Sequence, residues 1–253
     1  VIDACGHVDY LINNAMPLMK GIDACSYEQF EEALRVGVAA PFYLTKLFLP
    51  YFAPGAAIVN ISSSRDRMSQ PQTESYTAAK GGISALTHAL AVSSAMGAMA
   101  EHFGEDPEYW RAIGYLHDVD YEKFPEEHCK HVRELLAPEG VDEEDIRAII
   151  SHGYGLCTEE VKPETNLEKS LFAVDELTGI VMACALMRPT GITDLEVSSL
   201  KKKFKDKKFA AKCNREIIKQ GAETLGMPLE ELMELTIKGM KTEADALGLG
   251  AKE

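Results

Sequence analysis

The chain has 253 residues, 46% apolar and 26% charged, the balance of a globular protein with enough apolar side chains for a full core. Its formal net charge of −14 disfavours nonspecific attraction to nucleic acid or to an anionic membrane. Six scattered cysteines with no C-x-x-C pair fit reduced thiols rather than a disulfide framework.

The charge is uneven. Residues 1–94 carry six Lys+Arg against eight Asp+Glu, a net of −2, which leaves −12 for the remainder and marks a compositional boundary. No apolar run approaches the roughly 20 residues of a membrane span. Asp3, His7 and Asp9 interrupt any secretory apolar stretch, so a cytoplasmic location is expected.

In chain order, "VDYLINNA" (8–15) reads as a buried strand. "SYEQFEEALRVGVAAPFYLTKLFLPYF" (26–52) has helical spacing, with Ser26 as N-cap and acidic residues in the first turn. "AAIVNISSS" (56–64) reads as a second buried strand, and a helix follows a polar loop that runs to about residue 74. Strand, helix, strand, helix predicts a parallel βαβ unit. From residue 84 onward the pattern is helical, broken at 103–107, 137–142, 153–165, 188–194 and 225–228. No Pro/Gly/Ser linker separates the two parts, so the join is expected within one helix. The fold class is therefore α+β, a small βαβ unit at 1–83 joined through a shared helix to an all-α domain at 84–253.

Three features of the first part occur in order. Asn13–Asn14–Ala15 ends the first strand, Ser63 stands 13 residues before Tyr76, and Tyr76 and Lys80 form Y-x-x-x-K on one helix face. A cationic lysine beside a phenol lowers the phenol's pKa and lets it act as acid or base. Together these residues resemble the short-chain dehydrogenase/reductase family over residues 1–92, with Met16 where the family has Gly. The resemblance implies a Rossmann-like segment. The family's Gly-rich dinucleotide turn lies well upstream of the Asn-Asn-Ala element, and only twelve residues precede Asn13. Gly37 stands near the place of a further active-site Asn. NAD(P) binding is accordingly not expected, and Asn13, Ser63, Tyr76 and Lys80 are read as vestigial.

The second part holds "GYLHDVDYEKFPEEH" (114–128), which resembles the HD superfamily of metal-dependent phosphohydrolases, named for a consecutive His-Asp. His117 and Asp118 supply that pair. Asp175 supplies a later aspartate in an apolar helix, where an unpaired carboxylate is costly. His88 lies 29 residues before His117 in "HALAV", an interval resembling the HDIG-type subgroup, with Ser93 where that subgroup has Glu. His128 and His152 match the additional ligands of dinuclear members.

The resemblance implies that His88, His117, Asp118 and Asp175 hold one divalent ion (Mn, Fe, Co, Ni, Zn or Mg). His128 and His152, with Asp118 bridging, hold a second. His117 and Asp118 form the catalytic pair, and two ions activate water and clamp phosphate oxygens. His131, His102 and His7 are read as outer residues. Cys129 is set aside, because adjacent helical residues point about 100° apart.

"KKKFKDKKFAAKCNR" (201–215) is the one strongly basic run. Lys202, Lys205 and Lys208, at spacing three, are expected to share a face and attract substrate phosphate, with Arg215 gripping it bidentately. The whole chain then reads as a phosphohydrolase acting on a small anionic phosphoester, with no membrane or nucleic-acid partner. The exposed edges of a half-sheet allow a homo-oligomer. Two alternatives stay open at this level: a di-iron HD-type oxygenase, and an inactive scaffold with a degenerate NAD(P)-dependent reductase segment.

Overall fold

The structure, a computed structural model, describes residues 2–63, 70–121 and 123–250. The chain divides into two compact units, Val1–Thr87 with Asp245–Gly248, and His88–Ala244 with Leu249–Glu253.

In the N-terminal unit a short helix α1 (Ile2–Cys5) precedes strand β1 (Val8–Asn13). Helix α2 (Tyr27–Leu34) starts as the sequence predicts. The Ser26 hydroxyl accepts from the Gln29 backbone while the Gln29 side chain accepts from the Ser26 N–H, a reciprocal capping box. Arg35–Ala39 then widens into a π-helical turn before α3 (Ala40–Phe48). Pro41 at the start of α3 has no N–H to give to the preceding turn, and the wider turn accommodates it. Gly37 lies in this turn, where a Cβ would sit 2.6 Å from the Ala79 Cβ and 2.7 Å from the Pro17 Cγ.

Strand β2 (Phe52–Asn60) pairs with β1 in parallel, with Leu11 opposite Ile58 and Asn13 opposite Asn60. It begins and ends earlier than the expected 56–64; Ser64 lies outside the described residues. The expectation of buried strands is corrected. Tyr10 is 69% exposed and Ile12 62% exposed. Parallel strands are buried when helices cover both faces, and among the described residues this sheet has two strands only.

Helix α4 (Glu74–Phe103) runs unbroken for 30 residues and carries Tyr76, Lys80 and His88. By length and composition it is the one described helix apolar enough to cross a membrane, contrary to the expectation that no such run exists. Its apolar window is mostly buried in the fold.

The second unit is helical. After α4 come α5 (Pro107–Leu116), α6 (Val132–Leu136), α7 (Glu143–Ser151), α8 (Asn166–Leu186), α9 (Val197–Lys205), α10 (Arg215–Leu225) and α11 (Leu229–Thr242). Helix α8 packs against α7, α9, α10 and α11. Its start is fixed by a second capping box, Thr165 with Glu168, and the buried Glu168 also receives Arg147 Nε at 2.9 Å. The core includes Met96 and Met99 from α4, Ile149 from α7, Leu171, Leu177 and Ile180 from α8, and Ile218 from α10, all fully buried. Helices cross closely where glycines remove a side chain: Gly114 against Ser93 and Met96, Gly221 against Ala173, and Gly239 against Ser94 and Ala95. One end of each of α5 and α7 and the middles of α4 and α8 meet around a common point.

Candidate metal centre

The candidate ligands come from helix interiors, helix C-caps and a 3-10 turn. His88 projects from α4 and Asp175 from the middle of α8. His117 and His152 are the C-cap residues of α5 and α7. Their Nδ1–H groups donate to the carbonyls three residues back, His117 to Gly114 at 2.7 Å and His152 to Ile149 at 2.6 Å. A carbonyl only accepts, so the proton is on Nδ1 and each Nε2 presents a lone pair. His128 follows a short 3-10 turn, Pro125–Glu127, and its Nδ1 donates to Asp120 Oδ1 at 2.8 Å. Asp120 is fully buried, and its other oxygen accepts the His131 N–H at 3.1 Å. This is the carboxylate–histidine arrangement that orients a metal-ligating imidazole.

The lone pairs converge. His88 Nε2 lies 3.2 Å and His117 Nε2 3.4 Å from Asp175 Oδ1. His117 Nε2 also lies 3.5 Å from Asp118 Oδ2. The other Asp118 oxygen, Oδ1, lies 3.3 Å from His128 Nε2 and 3.7 Å from His152 Nε2. Asp118 thus turns one oxygen to each half of the cluster. The structure brings together all six residues that the sequence nominates: His88, Asp118, His128, His152 and Asp175 line a cavity of about 430 Å³ together with Tyr121 and Glu176, and the fully buried His117 adjoins Asp118 and Asp175. A larger cavity of about 860 Å³ lies in the N-terminal unit, against Glu28, Glu31, Glu32 and Arg35, and gathers no comparable donor set.

Two observations show that the donor set fits divalent cations. The buried His117 Nε2 makes no hydrogen bond. His128 Nε2 and His152 Nε2 stand 3.0 Å apart, although both Nδ1 atoms already carry a proton toward an acceptor. Two bare lone pairs at that distance repel unless a positive charge joins them.

The electrostatics agree. Burial pushes the Asp118 carboxyl up, but His117, His128 and His152 outweigh it and hold the group well below the usual carboxylate range. Asp175 is likewise held low, burial being outweighed by the contacts of His117 and His88. Burial acts downward on His152, yet Asp118 and Asp175 push its pKa up to about 9, and His88 and His128 are also raised against burial by neighbouring aspartates. The cavity therefore favours positive charge.

The outer histidines are placed as expected. His131 is tied to Glu134 and Glu127 and stacks on Phe124, His102 faces Glu231, and His7 faces Asp9. Sequence reasoning missed Asp120, whose signal is its place two residues after the His-Asp pair. It also discounted Cys129 on a helical geometry that does not exist there. Cys129 has φ +68, outside any helix, and its buried sulfur lies 3.8 Å from His152 Nε2.

The phosphate-binding expectation is corrected. Helix α9 ends at Lys205, so Lys208 lies in the following turn and the three lysines do not share a helix face. Lys202, Lys205 and Lys208 are exposed, and none lines the cavity of the cluster. Arg215 spends its guanidinium on the carbonyls of Phe204, Asp206, Phe209, Ala210 and Cys213, which leaves it holding the α9–α10 turn rather than a ligand. In the N-terminal unit Asn13 Nδ2 donates to Asn60 Oδ1 at 2.8 Å, and Ser63 is half-buried. Lys80 Nζ sits 5.6 Å from the Tyr76 ring centroid and donates to the Ile61 carbonyl.

Comparison with known proteins addresses both halves. Residues 1–97 match the short chain dehydrogenase family and residues 85–180 match the HD domain family, so the chain joins a short chain dehydrogenase segment to an HD domain. All six candidate ligands fall within the HD match. Among curated relatives, an uncharacterized oxidoreductase of Thermotoga maritima is 39% identical over 95 residues, 36% of this chain and 37% of that protein. General stress protein 39 of Bacillus subtilis is 35% identical over 88 residues, 34% of this chain and 31% of that protein. The mouse L-fucose dehydrogenase is 36% identical over 90 residues, 34% of this chain and 33% of that protein. The chain spans about a third of the length of these relatives. No solved structure matches. Both resemblances suggest an enzyme.

Proposed function

We propose that the chain is a divalent-metal-dependent phosphohydrolase whose HD segment cleaves a small phosphoester. The observation that carries this reading is the division of Asp118, with Oδ2 toward His117 and Oδ1 toward His128 and His152. In this reading His88, His117, Asp118 and Asp175 hold one ion, and His128, His152 and Asp118 a second. Bound divalent ions supply a lowered water pKa and a Lewis-acid clamp for phosphate oxygens.

The side chains prepare that chemistry. Gly114 and Ile149 carbonyls and the Asp120 carboxylate hold the Nδ1 protons of three imidazoles, so a cation displaces protons only from the Nε2 atoms that face the cluster. The two low-pKa aspartates stay ionised at neutral pH and neutralise part of the ionic charge. Tyr121, edge-on to the His128 ring at 5.1 Å, and Glu176 form the cavity wall that a substrate meets. A small anionic substrate in the cytosol completes the proposal. Nucleic acid does not fit a chain of charge −14 in which no lysine or arginine lines the cavity.

The experiment is a panel of phosphomonoesters and nucleotides assayed with chelated protein and after adding back Mn, Fe, Co, Ni, Zn or Mg. Hydrolysis that disappears on chelation and returns with at least one metal is expected. Phosphate release unchanged by chelation, or absent with every metal and ester, counts against the reading.

A further inference from the structure

Resting on the two-ion reading above, we infer that Cys129 is a sulfur ligand of the second ion position. That position is then a mixed nitrogen, oxygen and thiolate site, suited to zinc, cobalt or iron rather than magnesium or manganese.

Four observations converge on Cys129. Its side chain is fully buried and its sulfur lies 3.8 Å from His152 Nε2, in one donor cluster with His128 and His152. Its backbone has φ +68, a left-handed conformation that costs a residue with a Cβ free energy. That turn brings the side chains of two consecutive residues, His128 and Cys129, into one donor cluster, which neither a helix nor a strand does. Gly153 makes the room: a Cβ there would stand 2.5 Å from the sulfurs of both Cys129 and Cys157.

The separations suit coordination. A tetrahedral ion with ordinary metal–nitrogen and metal–sulfur lengths sets its donors about 3.3 Å apart for two nitrogens and about 3.6 Å for nitrogen and sulfur. The structure has 3.0 Å between the His128 and His152 nitrogens and 3.8 Å from His152 Nε2 to Cys129 Sγ. Asp118 Oδ1, 3.3 Å from His128 Nε2, supplies the fourth donor. Cys157, which lines the cavity, donates a hydrogen bond from its Sγ to Cys129 Sγ at 3.4 Å. On binding, the thiol proton leaves to solvent and the sulfur–metal bond takes its place.

The test is the absorption spectrum of the full chain titrated with Co(II) after chelation. A thiolate ligand gives an intense sulfur-to-cobalt charge-transfer band in the near ultraviolet. That band is expected in the wild type and in the Cys157→Ser/Cys213→Ser double variant, which removes the two sulfurs that line the cavity. It is expected to vanish in Cys129→Ser, with Co(II) affinity at the second position falling at least about 100-fold, beyond the usual loss for an outer partner. Cobalt bound without the band in the wild type overturns the sulfur ligand while leaving the metal centre standing. Loss of the band in the double variant overturns the assignment to Cys129. Absence of any cobalt binding instead refutes the metal centre itself. If Cys129→Ser does not fold, the wild type and double variant still decide.

Discussion

Asp118→Ala is expected to empty both ion positions and to lower phosphoesterase kcat/KM by at least about a thousandfold, which corresponds to about 4 kcal/mol of transition-state stabilisation. The expectation follows from the divided carboxylate. Removing it takes one oxygen from beside His117 and the other from beside His128 and His152. Asp175→Ala differs, because Asp175 Oδ1 faces only His88 and His117. That variant is expected to lose the first ion and keep the second. Elemental analysis of the two folded variants reads the difference directly. Equal metal loss in both, or none in either, contradicts the bridging role of Asp118.

The second large effect concerns folding. Gly239 on α11 meets the backbone of α4: a Cβ there would lie 2.3 Å from the Ser94 carbonyl oxygen and 2.9 Å from the Ala95 Cα. Backbone cannot turn aside as a flexible side chain does. In an exposed helix, Gly→Ala gains about 1 kcal/mol from propensity. Here Gly239→Ala is expected to cost at least about 3 kcal/mol, the upper range for overpacking. Urea unfolding followed by circular dichroism measures it, and unchanged or raised stability contradicts the close crossing. The crossing matters to function because it anchors the stretch of α4 one to two turns beyond His88.

Much of this architecture is legible in the sequence. Alternating apolar runs with turn residues reveal the βαβ order, and the 3.6 period with its breaks reveals the later helices. The candidate ligands are legible through the resemblance of their intervals to those of the HD superfamily. What is not legible depends on backbone direction and tertiary partners. The left-handed conformation at Cys129 has no local signal, since nothing in "PEEHCKH" requires it. Asp120 reads as one more acidic residue until the fold buries it against His128. Arg215 reads as a free cation, and only the closing of the 204–213 turn shows five carbonyls around it. Exposure of Tyr10 and Ile12 is invisible to a pattern that assumes helices over both sheet faces.

The central claim is that six side chains from separate helices and turns form one centre for two divalent ions. Crystals of the full chain grown with Zn(II) or Co(II), measured at the metal's absorption edge, test it most directly. Two anomalous peaks flanking the Asp118 carboxylate are predicted, one against His88, His117 and Asp175 and one against His128 and His152. A pocket without a peak, with metal found only at surface carboxylates, contradicts it.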